Sequence, residues 1–290
     1  MTPSEASLPT LQELGGRYPT DKFAIHHYDD VYEAFFGPLR SDPVTLLEIG
    51  VGDEDYALGG GSLQLWAEYF PTARIVGIDL YDKSALDDDR ITTRVCDQSS
   101  IPDLQRLSAD LGPFDIVIDD GSHHGRDVNL SLFGLFPLLQ PGGLYVIEDL
   151  QTSYWPHYGG SSLAPWAHDT AVRWVKLAVD IVNRPEVLSP GVFALLPALD
   201  IAEVHVFHNI AVLKKSDGVP TSSVVLTPEV RAEYLAEDVK INGRRAAAHD
   251  ELVARPDQFG HLLDLISDRG GLDALLAAGA GRQSVPDQDD

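Results

Sequence analysis

Five short, almost uninterrupted apolar segments constrain the fold of this 290-residue chain more than any other feature. They are residues 44–50, 74–80, 91–97, 114–120 and 144–150. Continuous apolar segments indicate strands that are buried on both faces, as in a parallel sheet covered by helices. Stretches of helical periodicity, such as residues 62–70 and 128–139, lie between them. Strand and helix alternate four times, which predicts an α/β fold with a doubly wound, mostly parallel sheet.

Two further apolar segments, residues 203–207 and 210–215, are separated only by His208 and Asn209. This spacing predicts an antiparallel hairpin at the edge of the sheet. One more helix is predicted over residues 169–182.

The chain divides into three predicted regions. A helical lead-in that covers part of the site is expected at residues 1–43. The core is expected at residues 44–226, with an insertion at about 151–200. A helical extension to about residue 278 and a frayed acidic tail are expected within residues 227–290.

Charge and cysteine content exclude several classes of protein. The chain has 45 Asp and Glu against 21 Lys and Arg, a formal charge of −24, so nucleic acid and anionic membranes are not expected partners. A single cysteine forms no internal disulfide, and no apolar segment has the length of a membrane span. The first residues lack the pattern of a signal peptide. We expect a cytoplasmic protein.

Glycines follow the first strand, where Glu48 is followed by Gly50 and Gly52. Glycines there let the backbone approach a ligand beyond the end of the strand, although a plain turn has the same composition. The acidic loop at residues 53–55 replaces the third glycine of a pyrophosphate-binding motif, which disfavours a nicotinamide-dependent oxidoreductase. Ser62 is the expected N-cap of the next helix.

Polar residues end the second and third strands. Asp79 lies 27 residues beyond Gly52, a spacing typical of a carboxylate that accepts hydrogen bonds from both ribose hydroxyls of an adenosine ligand. Asp97 and Gln98 could bracket its adenine, or simply form a turn. A strand-end acid facing water is the alternative for Asp79.

Three carboxylates end the fourth and fifth strands, namely Asp120, Glu148 and Asp149. Neighbouring parallel strands end in one crevice, so these groups are expected to converge and repel one another until a cation binds. All-oxygen ligands suit Mg²⁺, with Mn²⁺ or Ca²⁺ as alternatives. His123, three residues beyond Asp120, is a candidate general base, a fourth ligand or a donor that fixes the loop.

An aromatic segment, residues 152–160, follows these carboxylates and contains Thr152, Tyr154, Trp155 and Tyr158. Aromatic and hydroxyl side chains suit a wall for a sugar or a polyketide. A loop packed by its own aromatic residues is an equally good interpretation.

Several of these blocks together resemble class I S-adenosylmethionine-dependent methyltransferases, which have a Rossmann-like sheet. Within that class the chain resembles the Mg-dependent sugar O-methyltransferases of macrolide biosynthesis and related rhamnosyl O-methyltransferases. The resemblance covers about residues 20–215. It is carried by Thr20-Asp21-Lys22, His27-Tyr28, Tyr32, Glu48-x-Gly50-x-Gly52, Gly60-Gly61-Ser62-Leu63, Asp79, Asp82-Lys83-Ser84, Asp119-Asp120-Gly121-Ser122-His123, Pro141-Gly142-Gly143, Glu148-Asp149, Thr152-Ser153-Tyr154-Trp155-Pro156 and His208-Asn209.

The resemblance implies an enzyme that transfers a methyl group from S-adenosylmethionine to a hydroxyl of a deoxysugar on a polyketide-type product. It implies Mg²⁺ at Asp120, Glu148 and Asp149, with His123 as base. The resemblance implies cofactor contacts at Glu48, Gly50, Asp79 and Asp97. We expect further cofactor contacts at Gly52, Ser62, Gln98 and Asp119. A glycoside acceptor and a homo-oligomer are expected. The alternatives are a catechol or phenolic O-methyltransferase and a non-methylating scaffold partner of a tailoring oxygenase.

Overall fold

The structure is a computed structural model that describes residues 8–52, 59–165, 168–187, 199–218 and 227–252, with side chains described as far as residue 241. Within these residues a single seven-stranded sheet has the order β3-β2-β1-β4-β5-β7-β6. The strands are β1 (Thr45–Ile49), β2 (Arg74–Asp79), β3 (Ile91–Val95), β4 (Ile116–Asp119), β5 (Leu144–Ile147), β6 (Ile201–Phe207) and β7 (Ile210–Lys215).

The sheet confirms the predicted architecture. Strands β1 to β5 pair in parallel. Strand β7 pairs antiparallel with β5, and β6 pairs antiparallel with β7 at the edge. The strand order reverses between β1 and β4, and a crevice opens beyond the carboxyl ends of the strands at such a point.

Helices cover both faces of the sheet. In the described residues they are α1 (Leu11–Gly15), α2 (Asp21–Ala24), α3 (Asp29–Phe36), α4 (Gly61–Tyr69), α5 (Ile101–Leu111), α6 (Gly125–Leu135), α7 (Ala171–Val182) and α8 (Pro228–Leu252). None of these helices combines the length and the apolar character that crossing a bilayer demands. The predicted helix beyond residue 252, the frayed tail and the acidic loop at residues 53–55 lie outside the described residues.

Two local predictions are wrong. The N-cap of α4 is Gly60 and not Ser62, because the chain enters the helix through a left-handed turn with φ of 82° at Gly60. The connection from β2 to β3 contains only a 3₁₀ turn at Ser84–Leu86 and no α-helix in the region between them. Strand and helix therefore alternate less regularly than the sequence pattern predicts.

Successive strand residues point to opposite faces, so each strand contributes to two cores. Leu46, Ile118 and Val146 pack with the side chains of α1 to α4. Leu47 and Val117 pack with those of α5 to α7 on the opposite face. The same alternation decides which way the polar residues at the strand ends point.

An aromatic cluster fixes the N-terminal helices on α4. The ring of Trp66 lies 5.0 Å from Tyr32, 5.4 Å from Phe36 and 6.3 Å from Phe23, measured between centroids. Each pair has an edge-to-face arrangement, which aromatic rings favour. The cluster positions α2 and α3 directly beside the carboxyl ends of β1 and β4.

Replacing Phe36, which is fully buried in this cluster, should leave a cavity. We expect Phe36→Ala to lower the free energy of unfolding by about 3–5 kcal/mol, measured by urea denaturation. The control is Val179→Ala, at a half-exposed position on α7, with an expected change within about 0.5 kcal/mol. A loss below about 1 kcal/mol for Phe36→Ala would contradict the anchoring role of the cluster.

Candidate functional site

A cavity of about 1120 Å³ lies beyond the carboxyl ends of the parallel strands. The turn after β1 and the ends of β2 and β3 line one part of it. The segment after β4, the segment after β5 and the N-terminal residues around α2 line the rest. The predicted site residues that line it are Gly50, Gly52, Ser62, Asp79, Asp97, Gln98, Asp120, His123, Asp149, Thr152 and Trp155.

The turn after β1 is shaped by glycine and held by Asp79. Gly50 has φ of 90°, and a Cβ there would lie 2.2 Å from the carbonyl oxygen of Asp120, so a side chain cannot be accommodated. The Asp79 Oδ2 atom accepts hydrogen bonds from the backbone N–H groups of Val51 (3.1 Å) and Gly52 (3.0 Å). The carboxylate predicted to meet a ribose therefore also fixes the glycine turn.

The end of β3 is connected to the loop after β4 by Gln98. Its Nε2 atom donates to Asp119 Oδ1 at 3.2 Å, and its Oε1 atom accepts from the backbone N–H of Ser122 at 2.7 Å. Asp97 is exposed, and its Oδ1 atom accepts from the backbone N–H of Ser99 at 2.8 Å. Gln98 thus supports the cavity wall, and Asp97 stands at its rim.

Asp119 differs from its prediction as a cofactor contact, because its carboxylate is buried and does not line the cavity. It shares a face with Val117 and so points toward α6. Its Oδ2 atom accepts from the hydroxyl of Tyr145 at 2.9 Å and from that of Ser131. Burial raises the pKa of this carboxyl to about 6, against the opposing effect of these hydrogen bonds.

Lys22 lies at the centre of the acidic cluster, with its side chain 2% exposed. Its Nζ atom contacts Asp120 Oδ2, Glu148 Oε1 at 2.9 Å and Glu48 Oε1 at 3.1 Å. Burial alone would lower the pKa of Lys22, but the three carboxylates outweigh it and hold this pKa well above its ordinary value. Glu48 is thus an ion-pair partner inside the protein and is absent from the cavity wall.

Glu148 is also buried, and its Oε1 atom receives a second donor, the hydroxyl of Tyr32. Burial and the neighbouring Asp120 raise the pKa of Glu148, opposed by Lys22 and Tyr32. Both donors reach Oε1, so Oε2 is the oxygen available to a further partner.

Asp120, His123 and Asp149 form a group that could hold a metal ion, since each offers one ligand atom and these atoms lie within 4.8 Å of one another. The His123 Nε2 atom lies 3.8 Å from Asp149 Oδ2. Both residues have left-handed backbones, with φ of 57° at His123 and 53° at Asp149. Such conformations are unfavourable for side chains other than glycine and concentrate at functional sites.

Some residues of the aromatic segment after β5 line the cavity, and others do not. Thr152 is buried and donates to the backbone carbonyl of Asp149 at 2.7 Å, so it fixes the loop. Trp155 lines the cavity, whereas Tyr154 does not and is 38% exposed. Tyr158, which belongs to the same predicted segment, also lines the cavity, with its ring 6.1 Å from Trp155 and 6.2 Å from His123.

The sequence has close relatives among enzymes that methylate glycosides. Mycinamicin VI 2''-O-methyltransferase of Micromonospora griseorubida is 41% identical over 220 residues, which are 73% of this chain and 55% of that protein. Demethylmacrocin O-methyltransferase of Streptomyces fradiae is 42% identical over 214 residues, 71% of this chain and 53% of that protein. The chain spans about half the length of these curated relatives. No protein-family model matches it.

The fold agrees with this relationship. The MycE methyltransferase of the mycinamycin biosynthetic pathway, solved in complex with Mg, SAH and mycinamycin VI, superimposes with a TM-score of 0.64 at 39% identity. The match covers 74% of this chain and 58% of that one. The chain has the class I methyltransferase fold and is homologous to these sugar O-methyltransferases.

The contacts of this sugar O-methyltransferase homologue also show what sequence reasoning missed. Lys22 and Tyr32 hold the carboxylates, and the hydroxyl of Tyr28 donates to Asp149 Oδ1 at 2.9 Å. The resemblance included all three residues without giving them a role. An electrostatic argument could have predicted such partners, because converging buried carboxylates require a positive charge nearby. That charge comes either from a side chain of the protein or from a bound cation.

The raised pKa of Asp119 predicts a pH-dependent contribution to stability. The folded protein holds this proton more tightly than the unfolded chain, so the contribution is complete below pH 3.8 and is lost as the pH rises through about 6. We expect the stability of wild type relative to Asp119→Asn to fall by about 3 kcal/mol across this window. Urea denaturation between about pH 4 and pH 7 measures it, and a constant difference would contradict the shift.

Proposed function

We propose that this protein is an S-adenosylmethionine- and Mg²⁺-dependent O-methyltransferase that acts on a hydroxyl of a deoxysugar attached to a polyketide-type natural product. The observation that carries the proposal is the group of Asp120, His123 and Asp149 beside the glycine turn and Asp79 in one cavity. The relatives named above, which act on mycinamicin VI and demethylmacrocin, support the same reaction class.

The methyl donor would occupy the part of the cavity next to β1, β2 and β3. Each oxygen of the Asp79 carboxylate accepts backbone N–H groups and has lone-pair capacity for a ribose hydroxyl. Gly50 and Gly52 let the donor approach the backbone, Ser62 and Gln98 line the cavity, and Asp97 stands at its rim. The methyl group of a sulfonium is already activated, so the task of these residues is mainly positioning.

The residues present fit a divalent cation. The carboxylates of Asp120 and Asp149 line the cavity, and Lys22 and Tyr32 both donate to Oε1 of the neighbouring Glu148 and not to its Oε2. Hard oxygen ligands of this kind suit Mg²⁺ or Mn²⁺. When bound, such an ion would act as a Lewis acid that lowers the pKa of the acceptor hydroxyl. Magnesium is present in the homologous MycE complexes.

His123 would act as the general base. Its imidazole lines the cavity beside Asp149 and would accept the hydroxyl proton as the acceptor oxygen attacks the methyl carbon. The carbon–oxygen bond forms while the carbon–sulfur bond breaks, which leaves a methyl ether and S-adenosylhomocysteine. Asp120 would contribute as one of the residues that hold the cation.

The acceptor would rest against the aromatic segment after β5. Trp155 and Tyr158 line the cavity, and aromatic rings pack well against the apolar side of a sugar. Thr152, which also lines the cavity, fixes the loop through its bond to the Asp149 carbonyl, whereas Tyr154 does not line the cavity. The function is tested by incubating the protein and S-adenosylmethionine with mycinamicin VI, demethylmacrocin or a catechol, and detecting the methylated product by mass spectrometry. Preference for the catechol would overturn the sugar assignment.

Replacing His123 should lower the rate of methyl transfer without changing the affinity for the cofactor or the metal ion. We expect His123→Ala to lower kcat by roughly 10²- to 10⁴-fold, because proton transfer loses its acceptor. Calorimetry should show unchanged affinity for S-adenosylhomocysteine and for Mn²⁺. The control is His205→Ala, on strand β6, where the imidazole pairs with Glu203 and activity should be retained. Full activity of His123→Ala would refute the base assignment, and loss of Mn²⁺ affinity would make His123 a ligand.

Metal removal should stop the reaction. We expect EDTA treatment to abolish methylation of the glycoside, because the hydroxyl loses its activating cation. Addition of Mg²⁺ in excess of the chelator should restore the rate, and addition of Mn²⁺ should do so as well. Turnover that persists after EDTA treatment and gel filtration would exclude the metal from the mechanism.

A further inference from the structure

Lys22 is connected to three different strand ends at once. An ammonium group has three N–H donors and no acceptor, so it can satisfy several carboxylates in a fixed arrangement. Its Nζ atom is paired with Glu48 at the end of β1, with Asp120 after β4 and with Glu148 after β5. Two of these three partners are carboxylates of the cation site proposed above.

Hydrogen bonds and packing contacts on both sides of Lys22 hold its backbone in place. The side chain of Thr20 caps α2 by accepting from the Lys22 N–H, and the Lys22 carbonyl accepts from the N–H of Tyr28 at 2.9 Å. The next residue, Phe23, packs against Tyr32 and Trp66. These contacts fix the backbone of α2, and the fold therefore determines the position of the Lys22 ammonium group.

We propose that Lys22 is a positioning residue of the divalent-cation site and that it holds Asp120 and Glu148 in the orientation in which their other oxygens can bind the ion. This inference rests on the proposed function, because it assumes that the site binds a cation. Hydrogen-bond partners of metal ligands fix the direction of the ligand lone pairs, and their loss typically weakens metal binding 10- to 100-fold.

Charge supports the same role. Without Lys22, the carboxylates of Glu48, Asp120 and Glu148 would face one another in a poorly solvated region, where like charges repel strongly. They would rotate apart, and the geometry that the cation needs would be lost. Lys22 contacts neither Asp149 nor His123 through any bond in the described structure, so the Asp149 carboxylate remains available to the ion and the His123 imidazole to the proton of the acceptor.

The inference is tested by measuring Mn²⁺ affinity through the electron paramagnetic resonance signal of the free ion. We expect Lys22→Met, which keeps the length of the side chain and removes its charge, to bind Mn²⁺ about 10- to 100-fold more weakly than wild type. The matched control is Lys215→Met. Lys215 is equally buried, and its Nζ atom donates to the carbonyls of Pro137 (2.6 Å) and Leu139 (2.5 Å) behind β7. This variant loses a buried ammonium elsewhere and should keep wild-type Mn²⁺ affinity.

Circular dichroism of each variant establishes that it is folded. If Lys22→Met does not fold, the double variant Lys22→Met/Glu48→Gln removes one carboxylate with the ammonium and should fold, with the same weakened Mn²⁺ binding. Equal or tighter Mn²⁺ binding in the folded Lys22 variant overturns the inference and leaves the proposed function intact. Equal weakening in Lys215→Met also overturns it, since the effect would then be general. Failure of wild type to bind Mn²⁺ overturns the cation site itself.

Discussion

The structure depends on an electrostatic constraint, the convergence of two buried carboxylates, Glu48 and Glu148, and the partly buried Asp120 on one face of neighbouring parallel strands. Parallel register aligns Glu48 with Ile118 and Ile118 with Val146, so Glu48, Asp120 and Glu148 all follow the face that packs against α1 to α4. Charges removed from water require close partners of opposite sign. Lys22 provides that partner from α2, and the aromatic cluster around Trp66 holds α2 and α3 where the ammonium group can reach all three carboxylates.

The same alternation explains why two adjacent aspartates have different environments. Asp119 follows the face of Val117, so it points into the core beneath α6, where hydroxyls of Ser131 and Tyr145 surround it. Asp120 points to the other side, toward Lys22 and the cavity. One carboxylate therefore stabilises the connection between β4, β5 and α6, while the next is exposed to a ligand. The two residues are of the same type, and their environments differ only because successive residues along a strand point to opposite faces of the sheet.

Much of the fold could be predicted from the sequence, because strands buried on both faces leave continuous apolar segments and the hairpin leaves a two-residue gap. The convergence of Asp120 and Asp149 followed from the geometry of parallel strands. The partners of the carboxylates could not be predicted in the same way. Lys22 lies 98 residues from Asp120 and 126 from Glu148, and no periodicity relates positions so far apart. The cap at Gly60 was missed because serine is the commoner capping residue, whereas here a glycine with a left-handed backbone precedes the helix.

The edge hairpin shows how a distant element contributes to the site without lining it. The carbonyl of Asn209, in the turn between β6 and β7, accepts from the N–H of Leu150 at 2.9 Å and from the hydroxyl of Tyr28 at 3.2 Å. The same hydroxyl contacts Asp149, which has the unfavourable left-handed backbone. A strained residue keeps its conformation only where its surroundings determine it from several sides. The hairpin, the chain after β5 and α3 with its preceding turn together meet this requirement, so the orientation of Asp149 is a property of the whole sheet edge and not of its own loop.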